Sequence, residues 1–234
     1  MKLQKETKAP EKDGRAHGRW YSDACGTAFG LEVLGERWAM LIVRELLLGP
    51  RRFSDLRETL PCISAKVLTE RLESLREWGV VTRAHTPPPQ RAQVYELTEW
   101  GYRAEAAIME LGRWAALSRL HDPMLPLSSA SLMISMKTMQ LPAIAEAPDM
   151  AIGMQVGDES FRVAIESGRF NATRGKMEHC DAIVRSATAR SIAGALYADI
   201  PLHVLEAEAG LEVEGDRAQL ERFLALFALP QKID

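Results

Sequence analysis

The chain has 234 residues, 47% of them hydrophobic and 26% charged, with a formal net charge of -3. That composition excludes wholesale disorder, a collagen-like repeat and a coiled-coil rod. No stretch approaches the ~20 apolar residues of a membrane span, and the three cysteines, Cys25, Cys62 and Cys180, are too scattered for a disulfide framework. The polar segment from Met1 to Arg19 has no apolar signal core, so the expectation is a cytoplasmic protein without membrane contact. The charge is uneven. Residues 1–121 hold 19 Lys and Arg against 16 Asp and Glu, and residues 122–234 hold 10 against 16. A mildly basic half ahead of an acidic half points to two domains with different partners.

In chain order, residues 1–19 lack apolar periodicity and read as a disordered tail. Ala28 to Leu34 is a short helical run closed by Gly35. Arg37 to Leu48 is apolar on nearly every face and stops at Gly49-Pro50, a buried helix with its stop signal. Phe53 to Leu60 makes about two further turns. After Pro61-Cys62-Ile63, Ser64 caps a new helix, with Ile63 and Leu68 spaced as a hydrophobic staple. That helix buries Val67, Leu68, Leu72 and Leu75 and ends at Gly79, so the pair forms a helix-turn-helix. Val80 to His85 and Gln93 to Leu97 read as strands around a stiff tip containing Pro87-Pro88-Pro89, a β-hairpin wing. Thr98 caps a long helix to Leu120 with Ile108, Leu111 and Ala115 on one stripe; Trp38 and Trp114 read as core aromatics.

This order predicts a winged helix over 20–121. The residues also resemble the HxlR family of bacterial transcription regulators, through Leu31-Glu32-Val33-Leu34-Gly35-Glu36-Arg37-Trp38 and Leu41 to Phe53. The likeness continues through Pro61 to Ser64, Leu68-Thr69-Glu70-Arg71-Leu72 and Val94-Tyr95-Glu96-Leu97-Thr98, and covers Cys25 to Leu120. It departs at Cys62, where the family usually has glycine.

The major groove of B-DNA admits one helix, the one after the turn. Ala65, Lys66 and Thr69 on its outward face are the expected base-edge contacts. Ser64 at its start and Arg71 at its side are placed for phosphate, and Arg51, Arg52, Gln90 and Arg91 for backbone or minor-groove contact. The expected partner is double-stranded DNA, bound as a homodimer, since the last helix and the helix near Leu31 are more apolar than a monomer needs and the resemblance implies such pairing. Cys25 lies where several HxlR-like regulators place a redox- or electrophile-sensing cysteine; the alternative is a small buried hydrophobe. Asp23 beside it is expected to raise its pKa.

Residues 122–149 read as a linker holding one helix, from Ser128 or Ser129 to about Gln140. Beyond it, Met150 to Val156 alternates as a half-buried strand, Phe161, Val163 and Ile165 mark a second, and Ser167-Gly168 turns into a third, Arg169 to Arg174. A short strand at Asp181 to Arg185, a helix at Ala187 to Tyr197, a strand at Leu211 and Val213 and a helix capped by Asp216 complete the half. This pattern, above all Gly210 to Asp216 ahead of a Leu/Phe helix, resembles the sterol carrier protein fold over 150–228. The whole is therefore expected to be α+β: a winged helix-turn-helix domain, then a mixed α/β sterol-carrier-like domain at 150–234. The resemblance implies an apolar tunnel, and Met154, Phe161, Phe170 and Phe223 are the expected contacts of an apolar small-molecule effector.

No phosphate loop, nucleotide-binding fingerprint, nucleophile elbow or zinc-protease motif occurs, and His179-Cys180-Asp181 alone does not hold a metal, so neither enzyme chemistry, a cofactor nor a metal is expected. A lipid carrier or interaction protein that uses its winged helix for protein contacts is the alternative. That reading requires an apolar rather than polar face at Ala65, Lys66 and Thr69.

Overall fold

Two hydrophobic clusters organise the chain, one from each half. The computed structural model describes residues 21–89, 91–123 and 125–233; the tail expected at 1–19 lies outside them. In the first half the order is α1 (Gly26–Leu34), α2 (Ala39–Leu46), α3 (Phe53–Thr59), α4 (Ala65–Glu77), β1 (Val81–His85), β2 (Gln93–Leu97), α5 (Glu99–Arg103) and α6 (Glu105–Ala116). The core forms where Ile42, Val43 and Leu46 of α2 meet Leu68, Leu72 and Leu75 of α4, all essentially without solvent contact. Each such side chain contributes roughly 1.5–3 kcal/mol by leaving water. β1 and β2 pair antiparallel from Val81 opposite Leu97 to His85 opposite Gln93, which makes the wing.

Two expectations fail here. The long helix from Thr98 breaks at Ala104 and ends at Ala116, with Thr98 capping the short α5 through the amide of Gly101 at 3.1 Å. Its apolar stripe is not buried: Leu111 is 45% and Trp114 69% exposed, so Trp114 is no core aromatic. Among the described residues nothing covers Leu111 and Trp114 of α6. Trp38 is half-buried and sits ahead of α2 with a left-handed φ of 81°, the Arg37 guanidinium 5.3 Å from its ring.

The second half runs α7 (Ser129–Thr138), a 3-10 turn (Pro142–Glu146), β3 (Met150–Val156), β4 (Glu159–Glu166), β5 (Arg169–Arg174), β6 (Ala182–Ser186), α8 (Ala189–Tyr197), α9 (Leu202–Ala209), β7 (Glu212–Gly215) and α10 (Arg217–Leu224). The five strands form one sheet in the order β5-β4-β3-β6-β7. All neighbours are antiparallel except β3 and β6, which run parallel from Ile152 beside Ala182 to Val156 beside Ser186. As the central strand, β3 is buried on both faces rather than the one expected. Ser167 and Gly168, both at positive φ, make the β4–β5 turn. A Cβ on Gly168 would lie 2.6 Å from the Ala145 carbonyl oxygen, so only glycine allows that approach. Helix α9 was not expected; only Leu202 and Leu205 within it are buried, too few apolar positions to show a helical period.

Helix α7, expected within a linker, is shared between the halves. Leu132, Met133 and Met136 pack into the second cluster, and Ile134 into the first.

Candidate nucleic-acid interface

Ser64 caps α4, its hydroxyl accepting the Val67 amide at 3.2 Å. Ile63 and Leu68 are both buried, so the staple forms and fixes the angle at which the chain enters the helix. With Leu68, Leu72 and Leu75 inward, Ala65, Lys66, Thr69 and Glu70 are left exposed on the opposite face. The Lys66 side chain is 86% exposed, and its ammonium lies 3.9 Å from Glu70, a pair weak enough to open for an incoming base or phosphate. Thr69 donates its hydroxyl proton to the Ala65 carbonyl at 2.9 Å and keeps its methyl and lone pairs outward.

Cys62 takes φ 75°, the left-handed conformation that glycine adopts without cost. The turn ahead of α4 therefore keeps a glycine-type geometry at a residue that strains to provide it. Both strands of the wing are braced against α4: Arg83 of β1 pairs with Glu73, which also binds Arg76, and stacks on Tyr95 at 5.6 Å. Residue-by-residue reading missed this brace, because Glu73 and Arg83 are ten residues apart in two different elements.

The expected phosphate contacts separate. Arg52 and Arg91 are exposed, and Arg91 lies at the wing tip; Gln90 lies outside the described residues. Arg71 turns back to Glu36 at 2.6 Å and is only 19% exposed at its side chain, so it reaches phosphate only by leaving that partner. Arg51 is corrected outright. It is 7% exposed, its backbone is bridged to Tyr95, and its guanidinium is ion-paired with Glu159 of the second half. A buried, paired arginine cannot contact DNA from there. Arg57, exposed on α3, was not among the expected contacts; a lone arginine carries no signal until the helix-turn-helix orients it.

Arg51 belongs instead to a polar junction between the halves. Glu159 accepts from Arg51 and from the Ser129 hydroxyl, and its Oε1 lies 3.3 Å from Arg174 Nε. Arg174 also donates to the Leu48 carbonyl at 3.3 Å and covers the ring of Phe161 at 5.4 Å. Burial, and the nearby charge of Arg51, pull the Arg174 guanidinium down to about 10. Beside it the fully buried Glu45 accepts from Arg44 and, at 2.7 Å, from Ser128. Glu45 Oε2 and Arg51 Nε are buried with no hydrogen-bond partner.

Cys25 sits at the N-cap of α1 and is exposed, which removes the buried-hydrophobe alternative. The Thr27 backbone and side chain, then the Ala28 backbone, lie at the start of α1 and bias its thiol below the ordinary range. Asp23, expected to raise it, instead accepts the Cys25 amide at 2.9 Å.

The four expected effector contacts come together, but as core. Met154, Phe161 and Phe223 have no solvent contact, Phe170 is nearly as buried, and Phe170, Phe223 and Phe227 pack ring to ring at 5.1–6.5 Å. Helix α10 closes on the sheet and fills the space a tunnel would need. Open space lies elsewhere: a cleft of about 750 Å³ among α8, α9 and α10, with Arg217 and Glu206 paired at 2.8 Å on its wall, and a cavity of about 1030 Å³ between the halves. Among the described residues no group of three or more His, Cys, Asp or Glu gathers as a metal site, and no helix is long and apolar enough to cross a membrane.

Residues 33–122 match the model of the HxlR-like helix-turn-helix family. The chain is 42% identical over 89 residues to the HTH-type transcriptional regulator YodB of Bacillus subtilis (strain 168), covering 38% of this chain and 78% of that protein. It is 39% identical over 85 residues to the uncharacterized HTH-type transcriptional regulator YvaP of the same organism, covering 36% and 79%. Among solved structures, the reduced form of YodB from B. subtilis superposes with a TM-score of 0.38 at 35% identity, over 43% of this chain and all of that one.

Proposed function

We propose, since the chain belongs to the HxlR-like helix-turn-helix family of transcriptional regulators, that it is a cytoplasmic repressor that binds operator DNA as a homodimer and releases it in response to a small molecule. The observation that carries the DNA reading is the polar exposed face of α4 behind its Ser64 cap, with Lys66 and Thr69 outward and the wing tip Arg91 beside it. A protein-contact winged helix would put apolar residues on that face, so the carrier or interaction alternative loses its main requirement.

The dimer reading is supported by apolar side chains left in water on α1, α5 and α6: Phe29, Leu31, Trp100, Leu111 and Trp114. Phe29 already stacks on Trp100 at 6.4 Å, which gathers part of this surface into one patch. A twofold dimer presents two copies of α4 about one DNA turn apart, ~34 Å, and so reads a pseudo-palindrome. Cys25, exposed with a thiol biased toward thiolate, is suited to a second, electrophile-sensing input. The second half is read as the part that answers a small molecule, though not through its packed core. Genome-wide DNA capture followed by binding measurements on the recovered sites tests the proposal. One discrete, pseudo-palindromic site bound two protomers at a time is expected; capture without any enriched sequence refutes it.

A further inference from the structure

A two-stranded hairpin is marginal by itself, so the direction of the wing is set where its base is tied down. On the β1 side Arg83 pairs with Glu73 of α4. On the β2 side the outer edge of Tyr95 is taken by Arg51, in the loop between α2 and α3. The Arg51 amide donates to the Tyr95 carbonyl at 2.9 Å, and the Tyr95 amide donates to the Arg51 carbonyl at 2.8 Å. Arg51 is thus a one-residue third strand of the wing. Arg83 and Tyr95 face each other across the hairpin, with the Arg83 guanidinium 5.6 Å from the Tyr95 ring, so the two ties meet at one cross-strand pair.

The second tie is held from the other half of the chain. Arg51 is more than nine-tenths buried, and among the described residues its ion pair is with Glu159, at the start of β4. Glu159 is itself fixed from two more elements, by the Ser129 hydroxyl of α7 and by Arg174 at the end of β5. Arg174 also donates to the Leu48 carbonyl, in the same loop as Arg51. Without the Glu159 charge, a guanidinium this buried has lost its counter-ion and must turn toward water, and the backbone that serves as third strand turns with it. The exposed Arg91 lies four residues from Tyr95 along the chain. That is about 13 Å of extended strand, so a tilt of about 10° at the bridge moves the tip about 2 Å, more than a hydrogen bond to phosphate tolerates.

We infer that Glu159 of the second half is a positioning residue for DNA binding: through Arg51 and its bridge to Tyr95 it sets the wing at the angle from which Arg91 meets the DNA backbone. The inference rests on the DNA-binding reading above. It makes the second half a working part of the DNA-binding device rather than a module appended to it. The sign of the effect separates it from plain electrostatics. Glu159→Gln removes a negative charge from a protein that binds a polyanion, so long-range attraction alone would tighten the complex. Loss of wing placement weakens it.

Two double-mutant cycles on the captured operator, with the full chain, test this. Glu159→Gln is expected to weaken binding at least fivefold and to lower the salt slope by about one, as loss of a phosphate contact does. In an Arg91→Ala background, where the wing contact is already gone, Glu159→Gln should cost less than twofold. In a Lys66→Ala background, where the wing contact is intact, the full fivefold loss should remain. A merely structural role would weaken both backgrounds alike. Amide exchange without DNA reads the placement itself: the Arg51 and Tyr95 amides should exchange at least tenfold faster in Glu159→Gln, while those of Leu68 and Leu72 in α4 keep their rates. Should Glu159→Gln fail to fold, Arg51→Met, which removes the ion pair and keeps the backbone, is carried through the same cycles. Operator binding by folded Glu159→Gln as tight as the parent's, equal losses in both backgrounds, or unchanged exchange at Tyr95 overturns the inference. Faster exchange in a chain that captures no operator overturns the DNA-binding reading and leaves the tie between the halves standing.

Discussion

Glu159→Gln keeps the shape of the side chain and removes the one carboxylate that Arg51 and Arg174 share at the junction. At 3.3 Å and an effective dielectric of ~20, the Arg174 pair alone corresponds to roughly 5 kcal/mol of Coulomb attraction. Desolvation offsets most of that in the intact network, but it is not recovered when only one partner is neutralised; breaking a buried pair this way costs about 3–5 kcal/mol. The side chains of Glu159 and Arg174 keep 22% and 20% of their exposure, so water answers part of the lost charge, and about 2–3 kcal/mol is expected. Urea unfolding reads this in two ways. All five tryptophans lie at or before Trp114, so fluorescence follows the first half alone while far-ultraviolet circular dichroism follows both. The two transitions should coincide in the parent protein and separate in Glu159→Gln, with the second half melting at lower urea. A change below about 0.5 kcal/mol with coincident transitions would refute the reasoning, because it would place the junction in water.

Cys62→Gly relieves the left-handed residue in the turn; about 1–2 kcal/mol of strain less the extra freedom of unfolded glycine leaves a gain of about 0.5–1 kcal/mol by thermal unfolding, and a loss would show that the φ of 75° carries no cost. Lys66→Ala should weaken operator binding by about 1–3 kcal/mol and relax specificity at one base pair, whereas Arg91→Ala should weaken all sequences alike and reduce the salt slope by about 1. Trp114→Arg, which sets a charge in the exposed apolar patch, should shift sedimentation from dimer to monomer without loss of helix content. Iodoacetamide should modify Cys25 faster than Cys180 at neutral pH: a lowered pKa leaves more thiolate at a given pH, and burial pushes the Cys180 thiol up. Equal rates, read by peptide mass analysis, would contradict the N-cap assignment.

Local chemistry was the legible part of this chain. Ser64, Thr98 and Asp216 were each marked as helix starts by residue type and spacing, and Ser128 with Ser129 as its alternative; the side chains of Ser64, Thr98, Ser128 and Asp216 do accept an amide of the first turn. The polar face of α4 followed from the same periodicity. What failed depends on partners far away in sequence. Arg51 reads as a surface cation until Glu159, 108 residues later, is brought against it. Met154, Phe161, Phe170 and Phe223 carry the same alternation whether they line a tunnel or fill a core; the approach of α10 to the sheet decides. Trp114 sits on a stripe whose period is helical, but a period does not say whether anything covers it.

The position of Ile134 in the first hydrophobic cluster has a consequence for synthesis. A nascent chain that has released α6 from the ribosome still lacks one plug of its DNA-binding core, and that plug emerges on a helix whose other side, Leu132, Met133 and Met136, has no sheet to meet until β3, β4 and β6 follow. The winged helix therefore seals late, on a segment that spends an interval with apolar groups bare on one side. Slowing translation beyond residue 138 would prolong that interval and expose the chain to chaperone capture, although every element that faces DNA has already been made.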